Sequence, residues 1–157
     1  MTTPYGTTTF DLSAPFVNTG HNLIRYIEAT DPLGQKERVE SNISTALTGV
    51  GPTLETPRPS SSIVNYTTSY NPYRNSFVWD KLAMKLSPGN YQKAHRYHWV
   101  HSTGMSVTSI LESEVPPLEG RIFYNYALQS QPFYQGALAS PSVVARVVKD
   151  AQGNNQT

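Results

Sequence analysis

Three histidines spaced three apart, His95, His98 and His101, are the first residues whose type and spacing suggest chemistry. On a helix that spacing brings successive imidazoles close together, and imidazole is a natural zinc ligand. Three residues turn a helix through about 300°, so each pair drifts by about 60° and the three converge poorly. On a strand His98 faces away from the other two. A closed zinc site usually takes four ligands. His21 is the remaining histidine, and nothing in the sequence places it beside the others. The structural alternative, a polar and aromatic face packed against a sheet, is preferred over a metal-dependent enzyme.

The other constellations are thinner. Glu112 and Glu114 share a face if their strand is regular, and a carboxylate pair can do acid–base work. A strand end facing water explains them equally well. There is no Gly-x-Ser-x-Gly elbow and no glycine-rich phosphate loop. The absence of cysteine excludes disulfides, thiolate metal sites and a cysteine nucleophile. The expectation is a chain with no catalytic residues and no cofactor. Three matches to the glycosylation pattern begin at Asn42, Asn65 and Asn155, a motif too short and common to carry weight. Of the many aromatics, most are expected to pack the faces of a sheet. Tyr66, Tyr70 and Tyr73 lie in a proline-rich stretch and are the candidates for contacting a glycan or protein ligand.

The elements that must position these residues read as strands and turns. Only 15% of the 157 residues are charged and 38% are apolar, while ten tyrosines, 12 prolines and ten glycines favour β structure. The net charge is +1 with no long basic run, so the electrostatic footprint of a nucleic-acid binder is missing. No apolar run approaches the roughly 20 residues of a membrane-spanning helix, and the N-terminal residues lack the pattern of a secretory signal. Strands are expected at Thr7–Phe10, Leu23–Ala29, Gln35–Glu40, Asn75–Asp80, Val107–Ser113, Arg121–Tyr126 and Ser142–Lys149. Tyr91–His101 fits either a helix or a strand, and Lys81–Leu86 either continues a strand or makes a helical turn. Residues 41–73, rich in Pro, Gly and Ser, form an insertion or loop with one short possible strand at Ile63–Thr68. The fold expected is mainly β: one segment, 1–157, of antiparallel hairpins in a twisted open sheet or β-shell, with at most one short helix near 91–101.

Two turns frame this reading. Asp31-Pro32-Leu33-Gly34 joins the second and third strands, with Asp placed to accept backbone amides, Pro with its φ preset and Gly in the last position. Asp150-Ala151-Gln152-Gly153 repeats the logic near the C-terminal end. The chain both opens and closes in turn chemistry, so a section of a longer repeating β-array is expected.

The stretch Tyr26 to Glu40, an aromatic-bearing strand running into the Asp-Pro-Leu-Gly turn, resembles the hairpin of RHS/YD-repeat proteins. Residues 3–10, 74–81 and 121–126 resemble the non-repetitive insert of large bacterial members, and 143–154 resembles the lead into a further repeat. The sequence departs from the family pattern in having one complete repeat hairpin, one partial hairpin and no regular period between. The resemblance implies a wall segment of a spiral β-shell that encloses or delivers a C-terminal toxin. Its partners are then the neighbouring repeats of a parent chain and a toxin cargo, and its location is secreted or at the cell surface with that parent. The family's self-cleavage motif has no counterpart here. The alternative is a carbohydrate- or protein-binding β-module that uses exposed aromatics.

Overall fold

The structure, a computed structural model, describes residues 2–12, 24–42, 58–66, 72–104 and 106–157. Its centre is one eight-stranded antiparallel sheet whose strands pair in chain order. The order runs β3 (Thr9–Leu12), β4 (Ile24–Thr30), β5 (Lys36–Asn42), β6 (Asn75–Trp79), β7 (His95–His101), β8 (Val107–Val115), β9 (Ile122–Tyr126) and β10 (Pro141–Arg146). Two-residue ladders flank it: β1 (Thr2–Thr3) with β2 (Gly6–Thr7), and β11 (Val148–Lys149) with β12 (Asn155–Gln156). The one α-helix among the described residues is α1, Lys81–Leu86.

The mainly β fold with a single short helix agrees with the sequence reading, but the helix lies at 81–86 rather than near 91–101. Asp80 starts it by accepting the Ala83 amide at 2.7 Å, an N-cap that satisfies one of the first turn's orphan donors. Tyr91–Lys93 makes one 3₁₀ turn, and His95–His101 is a strand. Sheet pairing on both sides decides that stretch: Arg96, His98 and Val100 point to one face and are buried, while His95, Tyr97 and Trp99 point to the other. The apparent helical spacing was an accident of alternation.

The turn at Asp31 forms as its residues dictate. Asp31 Oδ1 accepts the amides of Leu33 and Gln35, each at 2.9 Å, and its carbonyl accepts the Gly34 amide at 2.9 Å. The turn at Asp150 repeats the set, with Gln152, Asn154 and Gly153 in the same roles. Gly34 and Gly153 have φ of 77° and 84°, a region costly for any residue with a Cβ. Gly34→Ala should therefore destabilise the protein by about 1–2 kcal/mol. Urea unfolding checks this; no measurable loss would mean that the turn relaxes to another type. Lys81 also reaches back from α1 to Asp31 Oδ2 at 2.6 Å, tying helix to hairpin.

The two faces of the sheet differ. One is covered by the chain itself. Phe77, Trp79, Met84 and Ala94 form one buried cluster beneath α1 and Tyr91. Val64 packs with Phe123 and Ala145 in a second, where residues 58–66 lie over β9 and β10. Asn65 fastens that segment through its amide to Asn125 Oδ1 and its carbonyl to Asn125 Nδ2, both at 2.7 Å. Burying Phe77 and Trp79 completely is worth roughly 1.5–3 kcal/mol for a side chain of this size.

Residues 58–66 thus pack back on the sheet, and residues 43–57 and 67–71 of the expected insertion lie outside the described residues. Ser60–Ile63 is a turn rather than the start of a strand, closed by the Ile63 amide on the Ser60 carbonyl at 2.9 Å. The strand expected at Gln35–Glu40 looked solvent-exposed in sequence. Lys36, Glu37 and Val39 are exposed as expected, but the strand is interior to the sheet, and Glu40, with Asn42 beyond it, is buried on the covered face.

The opposite face is open. Leu12, Ile27, Val39, Val78 and His95 align across five strands by register, and the first three are more than half exposed.

Candidate functional site

The covered face carries a row of polar residues at its centre. Register aligns Asn42, Asn75, His98 and Ser113 across β5 to β8, and all four are buried. Two backbone irregularities bring charge to this row. Arg74, at the entry to β6, has a left-handed φ of 61°. β8 bulges opposite β7: His98 pairs with Ser113 and Trp99 with Leu111, so Glu112 is the surplus residue. A bulge of this kind re-aims a side chain, and Glu112 is turned into the core beside Ser113.

Arg74 Nη1 donates to Glu112 Oε2 at 3.1 Å and to the Trp99 carbonyl, while the Arg74 carbonyl accepts the Trp99 amide at 3.0 Å. The left-handed backbone thus fastens Arg74 to one residue of β7 by both main chain and side chain. His98 Nδ1 lies 2.9 Å from Asn75 Oδ1, and Asn75 Nδ2 donates to the Tyr73 carbonyl, which fixes the amide's orientation. The consistent tautomer has Nδ1–H donating to Asn75 and Nε2 accepting from Arg74 Nη2 at 3.3 Å. Burial, then the Arg74 and Arg121 charges, holds the His98 pKa well below the usual imidazole value. Burial also raises the Glu112 carboxyl to about 7, outweighing the nearby arginines. Arg121 Nη1 donates to Ser113 Oγ at 2.8 Å.

A strained arginine, a bulge and two perturbed titratable groups are marks of a functional site as well as of a buried ion pair. The surroundings favour the second. The cluster is buried, and two surface grooves lie away from it. One, of 620 Å³, runs between α1 and the Asp31 turn, and another, of 280 Å³, lies along Ile27, Val39 and Val78. In the first groove Lys36 and Lys81 are already neutralised by Glu28 and Asp31.

The open face carries a second group. Glu114 accepts the Tyr124 hydroxyl at 2.5 Å and meets His95 Nε2 at 2.8 Å. His95, Tyr97 and Trp99 stack in series with ring centroids 4.2 and 5.9 Å apart. The Tyr97 hydroxyl lies 3.1 Å from His95 Nδ1. With the rings nearly parallel this contact is mainly stacking, because the nitrogen lone pair lies in the ring plane. Tyr97 has a ring neighbour on each face, so that ring is not itself a platform for a sugar.

The residues singled out by sequence are scattered by this arrangement. His98 is on the covered face and His95 on the open one. His101 is buried at the end of β7, against Phe133 and Tyr134. No group of three possible metal ligands occurs among the described residues. Glu112 and Glu114 point to opposite faces because of the bulge. Tyr66 packs on Phe123 at 5.4 Å with Arg58 over its ring, and Tyr73 is partly exposed. His21 and Tyr70 lie outside the described residues, as do parts of the motifs at Asn42 and Asn65. Sequence reasoning missed Arg74, and its signal was available only as an arginine set immediately before a strong strand. Comparison with known proteins gives no match to this chain among family models, curated proteins or solved structures.

Proposed function

We propose that the chain is a wall section of an RHS/YD-type β-shell, a structural and non-catalytic role. The supporting observation is the strictly sequential strand order, with β3 at one edge of the sheet and β10 at the other. A closed barrel would pair these edges and would leave nothing to join to neighbouring repeats. The matching turns at Asp31 and Asp150 agree with a repeated hairpin, and a face covered by the chain's own segments agrees with a wall that has two distinct sides. Neighbouring repeats of the parent chain are the partners, and an enclosed C-terminal toxin is the cargo. The parent is placed outside the cell or at its surface. The binding-module alternative has less support, since Tyr66 is engaged by Phe123 and Arg58, which leaves Tyr73 as the exposed candidate among the described residues.

Electron microscopy of the full-length product tests the proposal. A hollow particle in which residues 1–157 form a continuous stretch of wall is expected. A mature product that ends near residue 157 and remains a compact monomer would overturn it.

A further inference from the structure

The two edges of the sheet are not equivalent. β10 starts with Pro141, shifts register between Pro141 and Val143, and ends in Arg146. These devices hinder pairing with a strand of another molecule. β3, Thr9-Phe10-Asp11-Leu12, has no proline, no basic residue and no bulge, and all four residues are exposed.

Hydrogen-bond parity identifies which β3 groups face outward. The Asp31 amide bonds the Gln35 carbonyl, so Asp31 points toward β5. Successive residues of a strand point to alternate sides. Thr30 and Glu28 therefore point toward β3, where register sets them opposite Thr9 and Asp11. Thr9 and Asp11 are consumed by β4. The amides and carbonyls of Phe10 and Leu12 point to the edge at which no further strand pairs among the described residues.

We infer that this edge pairs with the β3 edge of a second copy of this chain, antiparallel about a two-fold axis through Phe10. Among axes through Phe10, through Asp11 or between them, only the first satisfies hydrogen bonding and charge together, and an axis through Leu12 would set Phe10 and Asp11 opposite positions beyond the end of β3. Centred on Phe10, the two Phe10 residues exchange both backbone hydrogen bonds, and their exposed rings meet on the open face. Thr9 then lies opposite Asp11 of the second copy on the other face, a hydroxyl facing a carboxylate. An axis through Asp11 would oppose two carboxylates and would bring together backbone groups already bonded to β4. An axis between the two residues would set side chains of opposite faces against each other. The pairing is isologous and stops at two copies. It is short and falls below the roughly 1,200 Å² of stable complexes, so it is concentration-dependent. The inference rests on the edge itself and concerns the 157-residue chain on its own; within a wall the same edge takes a neighbouring repeat instead.

Sedimentation velocity on the whole chain over a wide concentration range tests it. The expected result is a shift from 17.4 kDa toward twice that mass as concentration rises. Phe10→Lys sets two ammonium groups face to face and should abolish the shift. Phe10→Pro, which removes an outward amide while sparing the bonds to β4, should do the same, with circular dichroism confirming the fold of both. Val144→Lys on β10 should leave the dimer intact. A chain that stays monomeric throughout, a dimer that survives both Phe10 variants, or open-ended oligomers would each overturn the inference. Failure here leaves the wall reading standing, because that reading is tested on the full-length product.

Discussion

Measured at about pH 9, where Glu112 is ionised, Arg74→Met should cost about 3–5 kcal/mol of stability, the range for removing one member of a buried ion pair. The two side chains are only 5% exposed each, so neither charge has recourse to water when the other is lost. The substitution also removes the side-chain donor to the Trp99 carbonyl and leaves His98 Nε2 without its Arg74 partner. Against a typical total of about 5–15 kcal/mol, a loss of that size brings the fold near its limit. Urea unfolding measures it directly. The double variant Arg74→Met with Glu112→Leu should recover most of the loss, because a buried pair replaced whole by apolar groups is often close to neutral. The thermodynamic cycle of the four proteins then gives the coupling. A loss below about 1 kcal/mol, the value of an exposed pair, would show that water reaches the cluster.

Much of the fold was legible because it is local. The Asp31 hairpin needs only an Asp, a Pro and a Gly at fixed offsets, and the strand at Asn75 needs only alternation beside aromatic residues. What escaped was set by tertiary pairing. His95–His101 satisfies two periods at once, and only the flanking β6 and β8 select the strand. Glu40 looked like a surface residue on a polar strand, yet it is buried and accepts from Arg38 Nη2 at 2.7 Å and from the Tyr91 hydroxyl at 2.6 Å. Those partners are distant or unremarkable in sequence, and the sheet brings them together. Glu112 and Glu114 appeared to share a face because a regular period of two was assumed. A one-residue bulge reverses that relation, and β-bulges have no reliable local signature when the surplus residue is not glycine. The buried cluster was illegible for the same reason: each member is ordinary alone, and its meaning comes from a register spanning β6, β7 and β8.

The pH dependence of stability should carry the mark of that cluster, with the Glu112 and His98 contributions opposed. Glu112 has its folded pKa raised to about 7 from 4.5, so its stabilising effect is full below 4.5 and is lost as pH rises to about 7. His98 has its folded pKa lowered from 6.5, so its contribution is full above 6.5 and is lost as pH falls. As pH falls below 6.5, unfolding takes up a proton at His98 while it releases one from Glu112, so the two slopes oppose each other. Glu112→Gln removes one slope and leaves the other. The stability difference, wild type minus Glu112→Gln, should fall by about 1.4 kcal/mol per pH unit between 4.5 and 7 and be level outside that window. Taking the difference cancels the remaining titrations, including Asp31 and Asp150. Both of those have pKa values lowered by hydrogen bonds, Lys81 foremost for Asp31 and the Asn154 amide for Asp150, and both lose their contribution as pH falls. Urea unfolding at half-unit steps of pH, each point fitted with a common m-value, supplies the curve. A level difference from 4.5 to 7 would mean that Glu112 is ionised in the fold throughout that range, and that Arg74, rather than burial, controls its charge.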